Sequence, residues 1–258
     1  MHVNVLEVIT DRKELEHIQN ELRNRNTIKK TKLYSIVERL YPNLKENTFR
    51  KIIFELRKKN ILHPVKRGLY TLEKKQIYNP DISGKLKRIS SSIQKEKVTD
   101  NYCIWETFWA NEFMIHQPMR SVIVAEVDSD ALETVYYLLK DKVYKRTYIK
   151  PDEQIMKQYV MEDIEPIILL PFKSRSPVIN NSKITIPKLE KILVDLYFDS
   201  KLFYWIRGDE LTNIFNEAHR KYYLNFSTLL SYARGRRADK NLKQFLINNT
   251  DITPELFI

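Results

Sequence analysis

The sequence predicts an α+β protein in which a small domain of helices and a β-hairpin precedes a larger, mixed α/β domain with a helical C-terminal part. Apolar residues at helical spacing come first, and two short strand-like segments around a glycine follow them. After residue 100, apolar runs typical of buried strands alternate with helical patterns. These patterns divide the chain into residues 1–75, a linker or helical connector over 76–100, and a second domain over 101–258.

Composition limits the classes to which the protein can belong. The chain has 258 residues, of which 43% are hydrophobic, so it can bury real cores. Its apolar runs, such as Pro166–Phe172, are much shorter than the roughly 20 residues that a membrane-spanning helix needs. Residues 1–10 lack the basic and then apolar pattern of a signal peptide. The single cysteine, Cys103, excludes an internal disulfide framework. We therefore expect a cytoplasmic protein with no membrane partner.

The N-terminal domain begins with two predicted helices. The first opens at Asp11 and closes at Asn24–Asn26. The second runs from about Lys30 to Leu40, and Pro42 ends it because proline disfavours a helical residue before it. Four apolar residues of the second helix repeat at the spacing of one helix face: Leu33, Ile36, Val37 and Leu40.

A third helix and a hairpin complete this domain. The helix is predicted over 47–58, where Phe49, Ile52, Ile53 and Leu56 repeat the same buried spacing. Residues 61–65 and 69–72 then resemble short strands on either side of Gly68, which has the backbone freedom that a tight turn requires. Three helices followed by a basic hairpin are the arrangement of a winged helix-turn-helix domain.

Most of the net positive charge is concentrated in this domain. Residues 28–75 hold fourteen Lys or Arg against four acids, which is +10 of the net charge of +11 for the whole chain. An excess of this size on an ordered element is typical of a nucleic-acid-binding surface. Together with the winged helix-turn-helix pattern, this charge predicts that double-stranded DNA is the partner.

The third helix of such a domain enters the major groove, and the hairpin tip lies on the DNA backbone. Asn47, Arg50 and Lys51 are candidates for base contacts, because Asn pairs well with adenine and Arg with guanine. Phosphate contacts by Arg50 and Lys51 are an equal alternative, since half or more of such contacts go to the backbone. The complete set of predicted DNA-binding residues is Lys30, Lys32, Asn47, Thr48, Arg50, Lys51, Lys58, Lys66 and Arg67.

The second domain has a different balance of charge. Residues 81–218 hold 19 basic and 21 acidic residues, so they do not continue the basic surface. Strands are predicted over 101–105, 121–127, 143–149 and 164–170. Helices are predicted over 106–113, 131–139, 209–219, 226–233 and 239–247, with one more beginning at Pro187.

A second basic patch follows near the C-terminal end. Residues 219–243 hold seven basic residues and one acid, for a net charge of +6. The residues proposed for this patch are Arg234, Arg236, Arg237 and Lys240. They are candidates for a second nucleic-acid contact, and an equal alternative is a solvated helix end held by salt bridges.

No pattern in the sequence indicates an enzyme, a cofactor or a metal. Asp128-Ser129-Asp130 resembles the carboxylate pair of nucleotidyltransferases, but the glycine turn that would hold a triphosphate is missing between Gly84 and Gly208. The five histidines show no ligand spacing, and the chain has no phosphate-binding Walker loop. Two alternatives stay open: a nucleic-acid-processing enzyme that uses the winged helix as an anchor, and an interaction module that binds an acidic protein.

Four segments resemble the AbiEi-type family of antitoxins and regulators. Ile61–Leu72 (ILHPVKRGLYTL) resembles the wing of that family, and Glu106–Pro118 (ETFWANEFMIHQP) resembles the start of its C-terminal region. Ile186–Tyr197 (IPKLEKILVDLY) resembles its most recognisable helix, and Phe226–Arg237 (FSTLLSYARGRR) resembles its terminal basic helix. The segments occur in the order that this family shows.

The resemblance implies the antitoxin of a type IV toxin–antitoxin, or abortive-infection, pair. Members of that family bind inverted repeats in their own promoter through an N-terminal winged helix. For this chain we expect a dimer on DNA. Their C-terminal domain counteracts a nucleotidyltransferase toxin, typically without a stable complex. For this chain, the resemblance therefore implies a DNA-binding regulator that is not itself an enzyme.

Overall fold

The computed structural model of the protein describes residues 26–141, 146–181 and 184–258. The described chain forms two units. The N-terminal unit contains residues 26–76 together with two short stretches, 225–227 and 255–258. The C-terminal unit contains the remaining residues between 77 and 254. The predicted α+β class is confirmed, and the helix predicted to open at Asp11 lies outside the described residues.

The N-terminal unit contains a three-stranded antiparallel sheet. Its strands are β1 (Thr27–Lys29), β2 (His63–Lys66) and β3 (Leu69–Thr71), in the order β1-β3-β2. Gly68 makes the turn between β2 and β3 with a φ of +77°, a left-handed conformation that glycine adopts without steric strain. The hairpin was predicted, whereas β1 was not, because three residues are too short to show an alternating pattern.

Two helices pack on this sheet. They are α1 (Lys30–Leu40) and α2 (Glu46–Lys58), which agree with the predicted helices to within one residue at each end. The apolar residues at helical spacing are buried together, and the largest of them is Phe49, which meets the edge of the Tyr34 ring. The Tyr34 hydroxyl donates a 2.8 Å hydrogen bond to the Leu44 carbonyl, which ties the turn between the helices to α1.

The C-terminal unit contains a four-stranded mixed sheet. Its strands are β4 (Tyr102–Glu106), β5 (Ile123–Val127), β6 (Thr147–Ile149) and β7 (Ile167–Pro171). The order is β4-β5-β7-β6, in which β7 is parallel to both β5 and β6, and β4 is antiparallel to β5. All five residues of β5 are buried, as expected for a central strand covered on both faces.

Helices surround this sheet and continue to the end of the unit. They are α3 (Gly84–Lys95), α4 (Leu132–Asp141), α5 (Glu153–Gln158), α6 (Leu189–Phe198), α7 (Asp209–Lys221), α8 (Phe226–Gly235) and α9 (Asp239–Asn249). Short 3₁₀ helices cover Thr107–Phe113, Val160–Glu162 and Pro254–Leu256. A separate hairpin pairs β8 (Val178–Asn181) with β9 (Ile184–Pro187).

The predicted connector over 76–100 contains α3, which packs on β4, β9 and α4 of the C-terminal unit. Ser83 caps this helix by accepting a hydrogen bond from the Leu86 amide. The segment therefore includes a structural helix of the second unit. Within the described residues, no helix has the length and apolarity that crossing a membrane would require.

Candidate functional site

The exposed side of α2 presents the residues predicted to contact DNA. Asn47, Arg50, Lys51 and Lys58 are exposed, while the apolar residues of the same helix are buried in the core. Phe54 lies among them and is 61% exposed. We call these five residues the basic face of α2. The sequence explains why the polar and apolar residues of α2 lie on opposite sides. A helix whose apolar residues repeat at i, i+3, i+4 and i+7 buries that side and leaves its remaining positions to solvent.

One acid lies beside this face and holds two of the predicted cations. The Glu46 carboxylate accepts a 2.8 Å hydrogen bond from the Lys30 ammonium and a 3.4 Å one from Arg50 Nε. These contacts, with the Lys30 hydrogen bond the strongest, lower the pKa of Glu46. Exposed ion pairs of this kind are weak, because water and salt screen them. A phosphate group can therefore compete with Glu46 for Lys30 and Arg50.

The other predicted cations of the helices are more open. Lys32 on α1 and both lysines of the basic face are exposed, and no described acid forms an ion pair with them. Thr48 is half-buried at the start of α2. Five of the predicted cations thus lie on α1 or α2: Lys30, Lys32, Arg50, Lys51 and Lys58.

The tip of the β2–β3 hairpin is held in place by other parts of the N-terminal unit. The Lys30 amide donates a 2.8 Å hydrogen bond to the Gly68 carbonyl, and the Arg67 amide donates a 2.8 Å bond to Ser227 Oγ. The Lys66 ammonium donates to the main-chain oxygen of Ile258. The Arg67 side chain remains exposed. Sequence reasoning missed the anchors of Arg67 and Lys66, because they join residues 160 and 192 positions apart.

The second basic patch is divided by the fold. Arg234, Arg237 and Lys240 are exposed, and Arg234 forms a 3.4 Å ion pair with Asp239. Arg236 points the other way, and only 9% of its side chain is exposed. Its guanidinium donates to Asp195 and, over 2.6 Å, to Asp199. The alternative of a solvated helix end held by salt bridges therefore describes Arg234, whereas the ion pairs of Arg236 are buried.

Arg236 belongs to a buried charge cluster in the C-terminal unit, which we define as Glu126, Lys191, Asp195, Asp199 and Arg236. Glu126 comes from β5 and the next three from α6 or its C-terminal end. The Lys191 ammonium donates to Glu126 and, over 2.5 Å, to Asp195, one helical turn away. The Tyr232 hydroxyl donates a 2.9 Å hydrogen bond to Asp195. Every charge of the cluster therefore has an opposite charge beside it.

Burial and ion pairing shift the pKa values of Glu126 and Lys191 in opposite directions. Burial raises the pKa of Glu126 more than the neighbouring Lys191 lowers it. Burial alone would lower the pKa of Lys191, but Asp195 and Glu126 raise it well above its ordinary value. Lys191 therefore stays charged, and its carboxylate partners prevent an uncompensated cation in the core. Cys103 lies beside the cluster, where burial raises the pKa of its thiol.

One part of this cluster was visible in the sequence, and another was missed. Lys191 and Asp195 stand four residues apart on a helix, which is ion-pair spacing. Glu126 was overlooked, although a lone acid within the apolar run Val122–Val127 is itself a signal of a buried partner. In the described part of the chain, no group of three or more His, Cys, Asp or Glu side chains is arranged to hold a metal ion.

Comparison with known proteins places the chain in a family without assigning it an activity. No curated protein matches the sequence. The sequence profile of DUF6577, a family of unknown function, matches residues 48–252. The match covers most of the chain, including the buried charge cluster and all of the basic face of α2 except Asn47. The protein therefore belongs to the DUF6577 family of unknown function.

Proposed function

We propose that the protein binds double-stranded DNA through the basic face of α2 and regulates transcription. The observation that carries this proposal is the two-sided character of α2. One side is sealed into the core by Phe49 and its apolar neighbours, while the other presents two lysines, an arginine and an asparagine to solvent. A helix anchored in this way can lie in a groove without unfolding its domain.

The dimensions and chemistry of α2 suit the major groove. Its 13 residues span about 20 Å. Arg50 and Asn47 provide the donors and acceptors that distinguish guanine and adenine, and Phe54 offers an apolar surface for a thymine methyl group. Lys51 and Lys58 provide charge for phosphates, which contribute affinity without sequence preference.

The rest of the N-terminal unit supports a winged helix-turn-helix. The helix pair α1 and α2 precedes the β2–β3 hairpin, and β1 adds a third strand. The hairpin tip is fixed by the Lys30 and Ser227 hydrogen bonds, so the exposed Arg67 side chain is presented from a held backbone. We assign Arg67 to a backbone contact, and Lys66, whose ammonium is already engaged, to a supporting role.

The resemblance to AbiEi-type regulators extends the proposal to an autorepressing antitoxin. In that form, the protein binds its own promoter, as a dimer, and counteracts a nucleotidyltransferase toxin without a stable complex. The support for this extension comes from the four matching segments alone. A nucleotidyltransferase gene beside the gene of this protein would strengthen it, and its absence in related genomes would weigh against it.

A second candidate function rests on the buried charge cluster. Glu126, Asp195 and Asp199 converge beside Lys191, as carboxylates do in enzymes that process nucleic acids. Each of these carboxylates is held by Lys191 or Arg236, which leaves little negative charge to attract a metal ion. We therefore favour a regulator that is not an enzyme. Metal-dependent cleavage or nucleotide transfer that is lost in Glu126→Gln would reverse this preference.

DNA binding can be tested with the intact protein and its own promoter fragment. We expect Arg50→Ala to weaken binding at fixed salt by about 1–3 kcal/mol, or about 5- to 150-fold, and to relax sequence preference. Lys51→Ala should weaken binding to all DNA sequences equally and reduce the slope of log K against log salt by about 1. Fluorescence anisotropy titrations at several salt concentrations measure both effects.

The matched controls are Lys87→Ala and Arg88→Ala, which remove the same charges from exposed positions of α3. We expect these controls to bind within about twofold of the wild type, because they alter only long-range electrostatics. Equal weakening by control and test variants would show that net charge alone drives binding. Unchanged affinity in both Arg50→Ala and Lys51→Ala would refute the recognition role of α2.

A further inference from the structure

A cavity of about 360 Å³ in the C-terminal unit opens against the buried charge cluster. Its wall includes the aromatic rings of Trp105, Phe198 and Phe203 and the cations Lys173, Arg236 and Arg237. The size lies at the lower end of small-molecule sites, and an aromatic wall with a few polar groups is their usual composition. No step proposed for DNA binding uses this cavity.

The cavity occupies a position where α/β sheets bind ligands. Glu126 lies next to the last residue of β5, and Leu170 and Pro171 end the neighbouring parallel strand β7. Side chains of both strand ends line the cavity. In open sheets with parallel strands, ligands bind beyond the carboxyl ends of those strands.

Two side chains of the wall carry an N–H group without a hydrogen-bond acceptor. Trp105 Nε1 and Arg236 Nε are both buried, and neither has a partner in the structure. Trp105 is 0% exposed, so bulk water does not reach its indole. A buried donor without an acceptor is costly and is rare in folded proteins. Neither nitrogen is open to the cavity, so a ligand acceptor reaches one of these donors only when the side chains around it shift.

The opening of the cavity is positively charged. Lys173 and Arg237 are both exposed, and no described acid forms an ion pair with either of them. The carboxylates of the wall are neutralised by Lys191 and Arg236. An anionic group at the opening would therefore meet two free cations and little repulsion. Phe198 lies nearby with 43% of its surface exposed, and the Arg236 guanidinium stacks on its ring at 4.2 Å.

We infer that this cavity binds a nucleoside monophosphate, with the phosphate at Lys173 and Arg237 and the base against the aromatic wall. A free phosphate or a small carboxylate would leave most of the volume and the aromatic rings unused. A flat base presents an apolar face to Phe198, the exposed aromatic ring of the wall. The inference concerns only the C-terminal unit, and it stands whether or not α2 binds DNA.

Calorimetric titration of the full-length protein tests this site. The probes are the four common ribonucleoside monophosphates, together with adenosine and inorganic phosphate as fragments. We expect at least one nucleotide to bind with a Kd below 1 mM and at least tenfold more tightly than either fragment, because only the nucleotide reaches both ends of the cavity. The same nucleotide should raise the melting temperature of the protein.

Three variants and one control locate the bound molecule. Lys173→Gln and Arg237→Gln should each weaken nucleotide binding by about tenfold, through the loss of one charge-assisted hydrogen bond. Phe198→Leu should weaken it by about fivefold, through the loss of base stacking. Lys201→Gln removes a charge from an exposed position outside the cavity and should leave the Kd within twofold.

Absence of heat and of a melting-temperature shift with all four nucleotides at 5 mM would overturn the inference. Equal affinities for inorganic phosphate and for the nucleotides would also overturn it, because the aromatic wall would then have no part in binding. If Lys201→Gln weakened nucleotide binding as much as Lys173→Gln and Arg237→Gln do, the nucleotide would bind elsewhere on the surface. These measurements need no DNA, so a failure here and a failure of α2 to bind DNA are separate results.

Discussion

Two arginines near the end of α8 show how strongly the position of a residue decides its role. Arg234 is 72% exposed in its side chain and pairs with Asp239 across 3.4 Å, while Arg236 is 9% exposed and holds Asp195 and Asp199. Arg234 can exchange its carboxylate partner for water or phosphate at little cost in free energy. Arg236 neutralises the charge of two carboxylates, and its removal would leave them buried without a cation.

This contrast leads to a prediction for stability. Arg236→Ala should lower the free energy of unfolding by about 3–5 kcal/mol, the usual effect of breaking a buried ion pair. Arg234→Ala removes the same side chain two residues earlier and should change it by less than about 1 kcal/mol. Urea unfolding followed by circular dichroism measures both. Similar losses in the two variants would show that the cluster does not contribute through burial of its charges.

His63 gives a prediction for pH. Burial lowers the pKa of His63, a backbone hydrogen bond with Asn60 opposes this change, and the charge of Arg57 adds to it. The unfolded chain therefore takes up the proton first as the pH falls through the ordinary histidine pKa of about 6.5, so stability decreases below that pH. In His63→Gln, the decrease between pH 7.5 and pH 5.5 should be smaller than in the wild type. Identical pH profiles of unfolding would contradict this.

At the scale of elements, the β2–β3 turn depends on one backbone conformation. Gly68 has a φ of +77°, and no heavy atom would meet an added methyl group within 4 Å. Any cost of a side chain here is therefore conformational and not steric crowding. Gly84, at the first position of α3, has an equally open environment without a positive φ.

The two glycines form a matched pair for mutation. Gly68→Ala should destabilise the protein by about 1–2 kcal/mol, the cost of a left-handed conformation in an ordinary residue. Gly84→Ala should leave stability unchanged or raise it by up to about 1 kcal/mol, since alanine favours a helix. Thermal and urea unfolding of both variants provide the comparison. A larger loss in Gly84→Ala than in Gly68→Ala would contradict the assigned turn geometry.

Elements with regular local patterns were the ones that the sequence predicted well. The bounds of α1 and α2 follow from apolar spacing that is complete within each segment, and both predictions are confirmed. The segment Glu106–Phe113 was predicted as a helix and forms a 3₁₀ helix over Thr107–Phe113. The β8–β9 hairpin was missed, because its strands have four residues each and little alternation.

At the scale of the whole molecule, the proposed division of labour between units predicts separable effects. The double variant Arg50→Ala/Lys51→Ala should lose promoter binding, because both changes lie on the N-terminal unit. In the proposed antitoxin role it should still rescue cells from a nucleotidyltransferase toxin, because the resemblance to AbiEi-type regulators implies that the C-terminal unit counteracts the toxin. Reporter repression and growth rescue, measured in the same strain, test the two activities together.

A control is needed, because in the proposed autorepressing pair loss of repression would also raise expression of both genes. Protein and toxin should therefore be supplied from separate inducible promoters at matched levels. Under those conditions, loss of rescue in a variant that remains folded would refute the division of labour. Retained repression in that variant would refute the DNA-binding role of α2 instead.

By itself, the sequence determined the α+β class, the two helices and hairpin of the N-terminal unit, and the concentration of positive charge on them. These features depend on neighbours a few residues apart, so a local pattern records them. Only the tertiary structure decided that Arg236 is buried beside Asp195, away from the basic patch, and that Glu126 forms an ion pair with Lys191. The paired residues lie 41 and 65 positions apart. Which charges meet in the core is decided when β5, α6 and the end of α8 pack together.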